Sequence, residues 1–480
     1  MNVNEKHFWN KSQSFNNPQA LIDSNSGESF SYLKLDSESN SISEKLKLDK
    51  KGLVFLFTSN NAESVITYIA ILKSGNAVLL LDEKLNEEIR IGLINSYKPD
   101  LIITSEVNDI SGYFEIFKYE SLNIFKNIFI DTGDIFPDLA VLLSTSGTTG
   151  SPKLVKLSYK NIQSNASSIA EYLNIDENER PMTTLPFNYS FGLSIINSHL
   201  LKGSTIVLTE KTVFFRDFWN LFNEYKCTSF AGVPYTYTML KRIGFEKIDL
   251  PTLKYFTQAG GKLSEEFIKH FNEYAISNNK KFFVMYGQTE ATARITYVPP
   301  EKLSSKIGSI GISIPGGELK IMNDSVEMAA SNETGEIVYK GDNVMLGYAE
   351  TKADLSKGDE LNGVLFTGDL GYKDDDDFFY VTGRMKRFIK IFGLRINLDE
   401  VQKMIENHFK ISVACTGKDE LLKILAHSDD HLTEVKVKEE VMKMYKLNFK
   451  SLIVKSTNQI PTNTNGKYDY KKINEMFDGE

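Results

Sequence analysis

Short apolar runs alternate with stretches of helical period along residues 53–104: LVFLFT, then AESVITYIAILKSG, NAVLLL, NEEIRIGLINSYKPD and LIIT. Runs of this kind separated by amphipathic segments read as strands joined by helices, the βαβ pattern of a parallel sheet. Gly75 falls where the first of these helices needs its C-cap. A second series starts near Ile162 and passes through STIVLTE, FRDFWNLFNEYKC and TSFAGV, which predicts two α/β subdomains side by side. From about Gly308 the texture changes to glycine-punctuated strand segments, GSIGISIPGGELKIM, GEIVYKGDNVMLGY and DFFYVTGR, an antiparallel pattern. After GRMKR the period is mixed, with helices predicted over 398–409 and 434–446. We place a boundary at Lys386, giving domains 1–385 and 386–480.

Composition adds exclusions. A chain of 480 residues exceeds one ordinary core, and 41% hydrophobic with 25% charged residues is the profile of a soluble globular protein. The net charge of −8 argues against a nucleic-acid binder, which would show a basic footprint. From Arg387 onward, 16 Lys+Arg stand against 14 Asp+Glu, so the tail differs in charge from the rest and supports a separate C-terminal lobe. Two distant cysteines, Cys227 and Cys415, form neither a disulfide framework nor a zinc set. The start MNVNEKHFWN has no basic segment followed by an apolar one, and no apolar run approaches the ~18 residues that cross a bilayer. The expectation is a cytoplasmic protein without membrane insertion. Asp374 to Asp377 reads as a solvated hairpin turn, because consecutive carboxylates on a strand cannot all face one ion. The six histidines have no ligand spacing and read as structural or surface residues.

The candidate chemistry begins at Ser144–Lys153, STSGTTGSPK. Its flanks, LAVLL and KLVKLS, are strand-like, which excludes a flexible linker. Gly147 and Gly150 let backbone N–H groups turn inward, the hydroxyls of Thr145, Ser146, Thr148 and Thr149 add donors, and Lys153 adds charge, a set suited to polyphosphate. A Walker loop needs G-x-x-x-x-G-K-[ST] opening a helix, whereas here Gly150 is followed by Ser-Pro-Lys and a strand pattern.

This loop resembles the signature of the AMP-forming adenylating enzymes, the superfamily of acyl-CoA and aryl-CoA ligases, nonribosomal-peptide adenylation domains and beetle luciferases. Further motifs follow in order. MYGQTEAT is similar to the family's Y-G-x-T-E segment, which implies Tyr286 against adenine, Thr289 near the α-phosphate and Glu290 as an oxygen ligand for Mg²⁺. QAGGKL, with Gly260 and Gly261, resembles the segment along which adenine lies; FTGDLGY and GRMKR imply Asp369 and Arg384 at the ribose and Lys386 at a hinge. IPTNTNGKYD resembles the C-terminal motif whose lysine is Lys467. The resemblance therefore implies an α/β fold: a large N-terminal lobe of two α/β subdomains plus a small β-barrel-like subdomain, then a small α+β lobe that rotates about the hinge. The stretch YGQTEATARITYVPPE also resembles a subgroup of compact bacterial stand-alone ligases that load carrier proteins.

The chemistry explains why a lysine is wanted. Bringing a carboxylate against the α-phosphate of ATP sets anion against anion, about 4 kcal/mol per pair at ~4 Å and an effective dielectric of ~20. Lys467 and Mg²⁺ on Glu290 would offset this repulsion, forming an acyl-adenylate with loss of pyrophosphate. A thiol, of coenzyme A or of a phosphopantetheine carrier protein, would then displace AMP, with Gly393 lining its tunnel. Only thirteen residues follow Lys467, so a carrier is expected to act in trans. Two departures from the family pattern, Leu154 for a glycine and Asn465 for a serine, remove no catalytic side chain.

LPFNYSFGLSIINSHLLKGS resembles the segment that borders the acid, with Asn188, Tyr189 and Gly192 as pocket candidates. A neutral amide at Asn188 offers no counter-charge to an α-ammonium, which disfavours amino acids and leaves small hydroxy, aryl or short acyl acids. The alternatives are an amino-acid-adenylating domain or a catalytically silent nucleotide-binding relative.

Overall fold

The computed structural model describes residues 7–10, 18–106, 110–129, 133–144, 153–323, 327–384, 387–391, 394–445, 447–462 and 467–477. The chain divides into two compact units, one of Met1–Glu318 with Tyr339–Leu365 and one of Leu319–Val338 with Phe366–Glu480.

The first unit is built on two large sheets. In the eight-stranded sheet the order is Gly347–Ala349, Leu154–Ser158, Leu139–Ser144, Ala77–Asp82, Leu53–Thr58, Leu101–Thr104, Leu122–Asn127 and Tyr113–Tyr119. Leu53–Thr58 pairs in parallel with both Ala77–Asp82 and Leu101–Thr104, as the alternating apolar runs predict. Its side chains are buried on both faces: Val54 and Leu56 enter one core cluster, Leu53, Phe55 and Phe57 another. The helix Ala62–Ser74 accepts from Ser64 N at its Asn61 cap and ends on Gly75 at φ 82, the left-handed conformation in which glycine meets no Cβ penalty. It buries nearly every residue from Ala62 to Leu72 and is less one-sided than an amphipathic pattern suggests. The reason is its place in a cluster that also takes Leu21, Ile206 and Leu208 from the second sheet.

The second sheet has nine strands, in the order Ile312–Ser313, Thr296–Tyr297, Lys281–Tyr286, Tyr255–Gln258, Ser229–Gly232, Pro181–Met182, Ile206–Leu208, Gln19–Asp23 and Glu28–Ser31. Register places Phe230, Phe256 and Phe282 side by side across three parallel strands. Their rings stack, at 5.6 Å and 6° and then 4.8 Å and 22°. The helix Arg216–Glu224 closes this face with Phe218, Trp219 and Phe222. Lys281–Tyr286 thus stands on a rigid support and delivers the residues after Tyr286 to the site.

A further sheet runs in the order Gly317–Met322, Gly335–Gly341, Val364–Lys373 and Phe379–Arg384. The acidic run is the turn between its last two strands: Asp374 Oδ1 accepts from Asp376 N at 3.0 Å and Phe378 N at 2.9 Å. In the second unit Leu421–His427 pairs antiparallel with Val413–Lys418 and parallel with Leu452–Thr457. The helices Leu398–Phe409 and His431–Tyr445 cover this sheet with Val401, Ile405, Val437 and Val441. Among the described residues no helix is long and apolar enough to cross a membrane, and no three His, Cys, Asp or Glu gather as a metal cluster.

Candidate functional site

Beyond Tyr286 the chain doubles back through the short turn Thr289–Ala291. Gly287 makes the reversal possible, since a Cβ there would lie 1.9 Å from Ala293 O. Thr292 sits at φ 65, ψ −49, a conformation that a β-branched residue holds only where its surroundings over-determine it. Buried Asn343 does so: its Nδ2 donates to Ala291 O at 2.9 Å and to Arg294 O at 2.8 Å, and its Oδ1 accepts from Tyr339 Oη at 2.8 Å. Thr292 Oγ1 donates in turn to Asn343 O at 2.7 Å.

The turn presents two oxygen-bearing side chains. Glu290 Oε1 accepts from the Tyr348 hydroxyl at 2.8 Å, and the Lys153 ammonium lies 3.7 Å over the Tyr348 ring. Burial, and then the Glu290 carboxylate, push the Tyr348 phenol above its ordinary pKa, so it stays a donor. Among the described residues Glu290 Oε2 takes no hydrogen bond. A single carboxylate oxygen suits Mg²⁺, which keeps waters and phosphate oxygens as its other ligands. Thr289 Oγ1 lies 3.3 Å from Ser190 Oγ, at the first residue of the helix Ser190–Lys202.

That helix carries the segment expected to border the acid. Tyr189 is its N-cap and makes no side-chain cap bond. Gly192 is required by packing, because a Cβ there would be 2.2 Å from Pro186 O. Gly260 adopts φ 82, and a Cβ on it would meet the Tyr189 hydroxyl at 2.7 Å, while one on Gly261 would meet Pro234 Cγ at 3.1 Å. Tyr189 and Gly260, predicted on separate grounds, are therefore in contact. Asn188 is half-buried in the preceding turn, and Tyr286 is half-buried with its hydroxyl accepting from Gln288 Nε2 at 3.2 Å.

Arg294 follows the same turn and is only 3% exposed. Its guanidinium carbon lies 3.8 Å from the Phe191 ring centroid, beside the hydroxyl-bearing rings of Tyr172 and Tyr189. Nη1 donates to Ala293 O at 3.3 Å and the guanidinium also bonds the Tyr172 hydroxyl, while Nε has no partner. A desolvated cation–π contact is worth about 2 kcal/mol or somewhat more, against an effective desolvation penalty on the order of several kcal/mol for a buried ion. Burial accordingly draws the guanidinium pKa below its ordinary value.

In the second unit Asp369 and Arg384 are antiparallel partners on neighbouring strands, with Arg384 Nε donating to Asp369 Oδ1 at 2.9 Å. Asp369 is 3% exposed and the Arg384 side chain 62%. Lys467 is half-buried. Thr145, Ser146, Gly147, Thr148, Thr149, Gly150, Lys386 and Gly393 lie outside the described residues. Both cysteines are fully buried, and burial raises their thiols, so neither offers an acceptor thiolate.

Sequence reasoning missed Ser190, Arg294, Asn343 and Tyr348. Ser190 stands inside LPFNYSFGLSIINSHLLKGS and Arg294 inside YGQTEATARITYVPPE, where a cation directly before the strand-like ITYV was a readable signal. Asn343 and Tyr348 lie in a stretch read only as strand, where nothing marks them.

The family described as AMP-binding enzyme matches residues 8–349, more than half of the chain. A 2-succinylbenzoate–CoA ligase of Bacillus velezensis is 30% identical over 387 residues, 78% of this chain and 76% of that protein. Probable 4-coumarate–CoA ligase 2 of Dictyostelium discoideum is 31% identical over 287 residues, 59% of this chain but only 51% of that relative's length. The solved o-succinylbenzoate coenzyme A synthetase (MenE) of Bacillus subtilis, in complex with ATP and magnesium ion, matches with a TM-score of 0.73 at 24% identity over 98% of this chain and 99% of that one. At that identity the likeness is one of fold.

Proposed function

The chain belongs to the AMP-binding enzyme family, and from that membership we propose that it is an AMP-forming acid–thiol ligase acting on a small hydroxy, aryl or short acyl acid. In the first step a carboxylate oxygen of the acid attacks the α-phosphorus of ATP, the bond to the bridging oxygen breaks, and pyrophosphate leaves. In the second a thiolate attacks the acyl carbonyl and AMP departs with the carboxylate oxygen. Coenzyme A is the acceptor the relatives favour; a phosphopantetheine carrier protein acting in trans remains the alternative acceptor of the same chemistry.

The observation that carries this reading is the convergence on the Thr289–Ala291 turn. Ser190 reaches Thr289, while Tyr348 and Lys153 organise Glu290. Glu290 would hold Mg²⁺, which neutralises phosphate charge when bound. The Tyr348 hydroxyl orients the carboxylate so that Oε2 remains for the metal. Thr289 and Ser190 supply hydroxyl donors where the attacking carboxylate and the α-phosphate meet. Lys153 is a positioning charge at the end of the phosphate loop. Asp369 and Arg384 hold the ribose, and Lys467 bridges the incoming carboxylate and the nucleotide.

ATP–pyrophosphate exchange against aryl, hydroxy, short acyl, fatty and amino acids tests the proposal, with 2-succinylbenzoate among the aryl acids. Exchange with one acid class, followed by AMP release on adding coenzyme A, is expected. ATP binding without exchange for any acid would overturn it in favour of a silent nucleotide-binding relative.

A further inference from the structure

Arg294 is a buried cation whose charge the fold leaves unmatched. Among the described residues no carboxylate pairs with it, and one of its five N–H donors, on Nε, is buried without a partner. The side chains beside it are neutral: Phe191 under the guanidinium, with Tyr172 and Tyr189 at its edge. The Tyr172 hydroxyl donates to Met285 Sδ at 3.0 Å and accepts from the Arg294 guanidinium, so it is a neutral partner that leaves the charge uncompensated, and the Tyr172 ring stacks on Tyr297 at 4.3 Å. A guanidinium fork in such surroundings matches the two oxygens of a carboxylate.

Its position says which carboxylate. Phe191, under the guanidinium, lies one residue from Ser190, which reaches Thr289, and Tyr189 covers Gly260. Arg294 therefore stands on the acid's side of the turn, whereas Lys153, Tyr348 and Glu290 stand together on the other contacts of that turn. A bidentate guanidinium on the reacting carboxylate would draw electron density from the very oxygen that must attack phosphorus. We infer that Arg294 is a specificity-determining residue for the tail of the acid, and that the acid this site takes carries a second carboxylate besides the one that is adenylated. The inference rests on the adenylation reading for its substrate and agrees with the absence of a counter-charge for an ammonium at Asn188.

Matched acids test it: succinate against butyrate, and phthalate against benzoate, in ATP–pyrophosphate exchange with the full chain and with Arg294→Met and Arg294→Lys. The wild type is expected to prefer each dicarboxylate in kcat/KM. Arg294→Met should shift the dicarboxylate-to-monoacid ratio by about 10²-fold toward the monoacid, with Arg294→Lys intermediate and the thermal midpoint of Arg294→Met no lower than wild type. Wild-type preference for the monoacids would overturn the inference and leave the ligase reading standing. Equal loss with all four acids together with a lower thermal midpoint would also overturn it, making Arg294 a structural cation. If no acid exchanges, thermal shift with succinate or phthalate plus a non-hydrolysable ATP analogue separates the two claims. Stabilisation of wild type but not of Arg294→Met keeps the anion site while the ligase reading falls, and stabilisation of neither removes both.

Discussion

The Tyr348 hydroxyl donates to Glu290 Oε1 at 2.8 Å across 58 positions of sequence, while Lys153 covers the same ring at 3.7 Å. One phenol thus ties Lys153, the last residue of the proposed phosphate loop, to the proposed metal carboxylate. Tyr348→Phe keeps the ring and loses only the bond, so it isolates the orienting effect. A hydrogen bond to a charged group contributes about 1.5–3 kcal/mol, and roughly a tenfold or greater rise in the Mg²⁺ concentration for half-maximal exchange is expected. An unchanged Mg²⁺ dependence would show that Glu290 needs no such partner.

Lys467→Ala should lower adenylate formation by about 10²–10³ and leave ATP binding near wild type. Exchange rates beside calorimetric titration with ATP separate the two quantities. Parallel loss of both would remove Lys467 from the chemical step.

Gly260→Ala places a Cβ where the Tyr189 hydroxyl stands, 2.7 Å away, at a backbone φ of 82. A loss of about 1–3 kcal/mol in urea unfolding is expected from clash and strain together. In a double-mutant cycle Tyr189→Phe should recover only the clash, giving a coupling of about 0.5–2 kcal/mol. Strict additivity would mean the two residues do not interact in solution.

Asn343→Ala removes the amide that holds the Thr289–Arg294 turn against the strain at Thr292. The expected cost is about 2–4 kcal/mol in stability, because the buried carbonyl of Ala291 loses its side-chain donor and that of Arg294 keeps only the longer bond from Asn165 Nδ2 at 3.4 Å. Exchange activity should fall by more than the unfolded fraction accounts for, which activity and circular dichroism measured at one temperature will reveal.

His199 is 3% exposed, with Nδ1 donating to Ile195 O at 2.8 Å and Nε2 facing Tyr255 Oη at 3.3 Å. Burial lowers its pKa to about 4 from an ordinary 6.5. The unfolded chain therefore takes up a proton on this ring before the folded one does. Stability held above pH 6.5 is lost as pH falls toward 4, by about 2 kcal/mol between pH 7 and pH 5. Urea midpoints should show this slope in wild type and a shallower one in His199→Gln; equal slopes would assign the acid sensitivity elsewhere.

Much of the architecture was legible in local pattern. LVFLFT, AESVITYIAILKSG with its Gly75 cap, and the helix over 398–409 each appear where the periodicity of the chain puts them. These signals depend on neighbours within a turn or a strand, so a linear sequence contains them. The candidate site residues Thr289, Glu290, Tyr189 and Gly260 were legible as types in spaced motifs. Their partners were not. Ser190 meets Thr289 at a separation of 99 residues, and Gly192 proved to answer to the Pro186 carbonyl.

By itself, then, the sequence determined the strands, the helices and which side chains could do phosphate and carboxylate chemistry, because propensity and functional-group type are local properties. Only the tertiary structure decided that Tyr348 serves Glu290, that Asn343 braces a strained turn, and that Arg294 is a buried charge without a match. Each of those depends on which segments two large sheets bring together, and on how much water they exclude there.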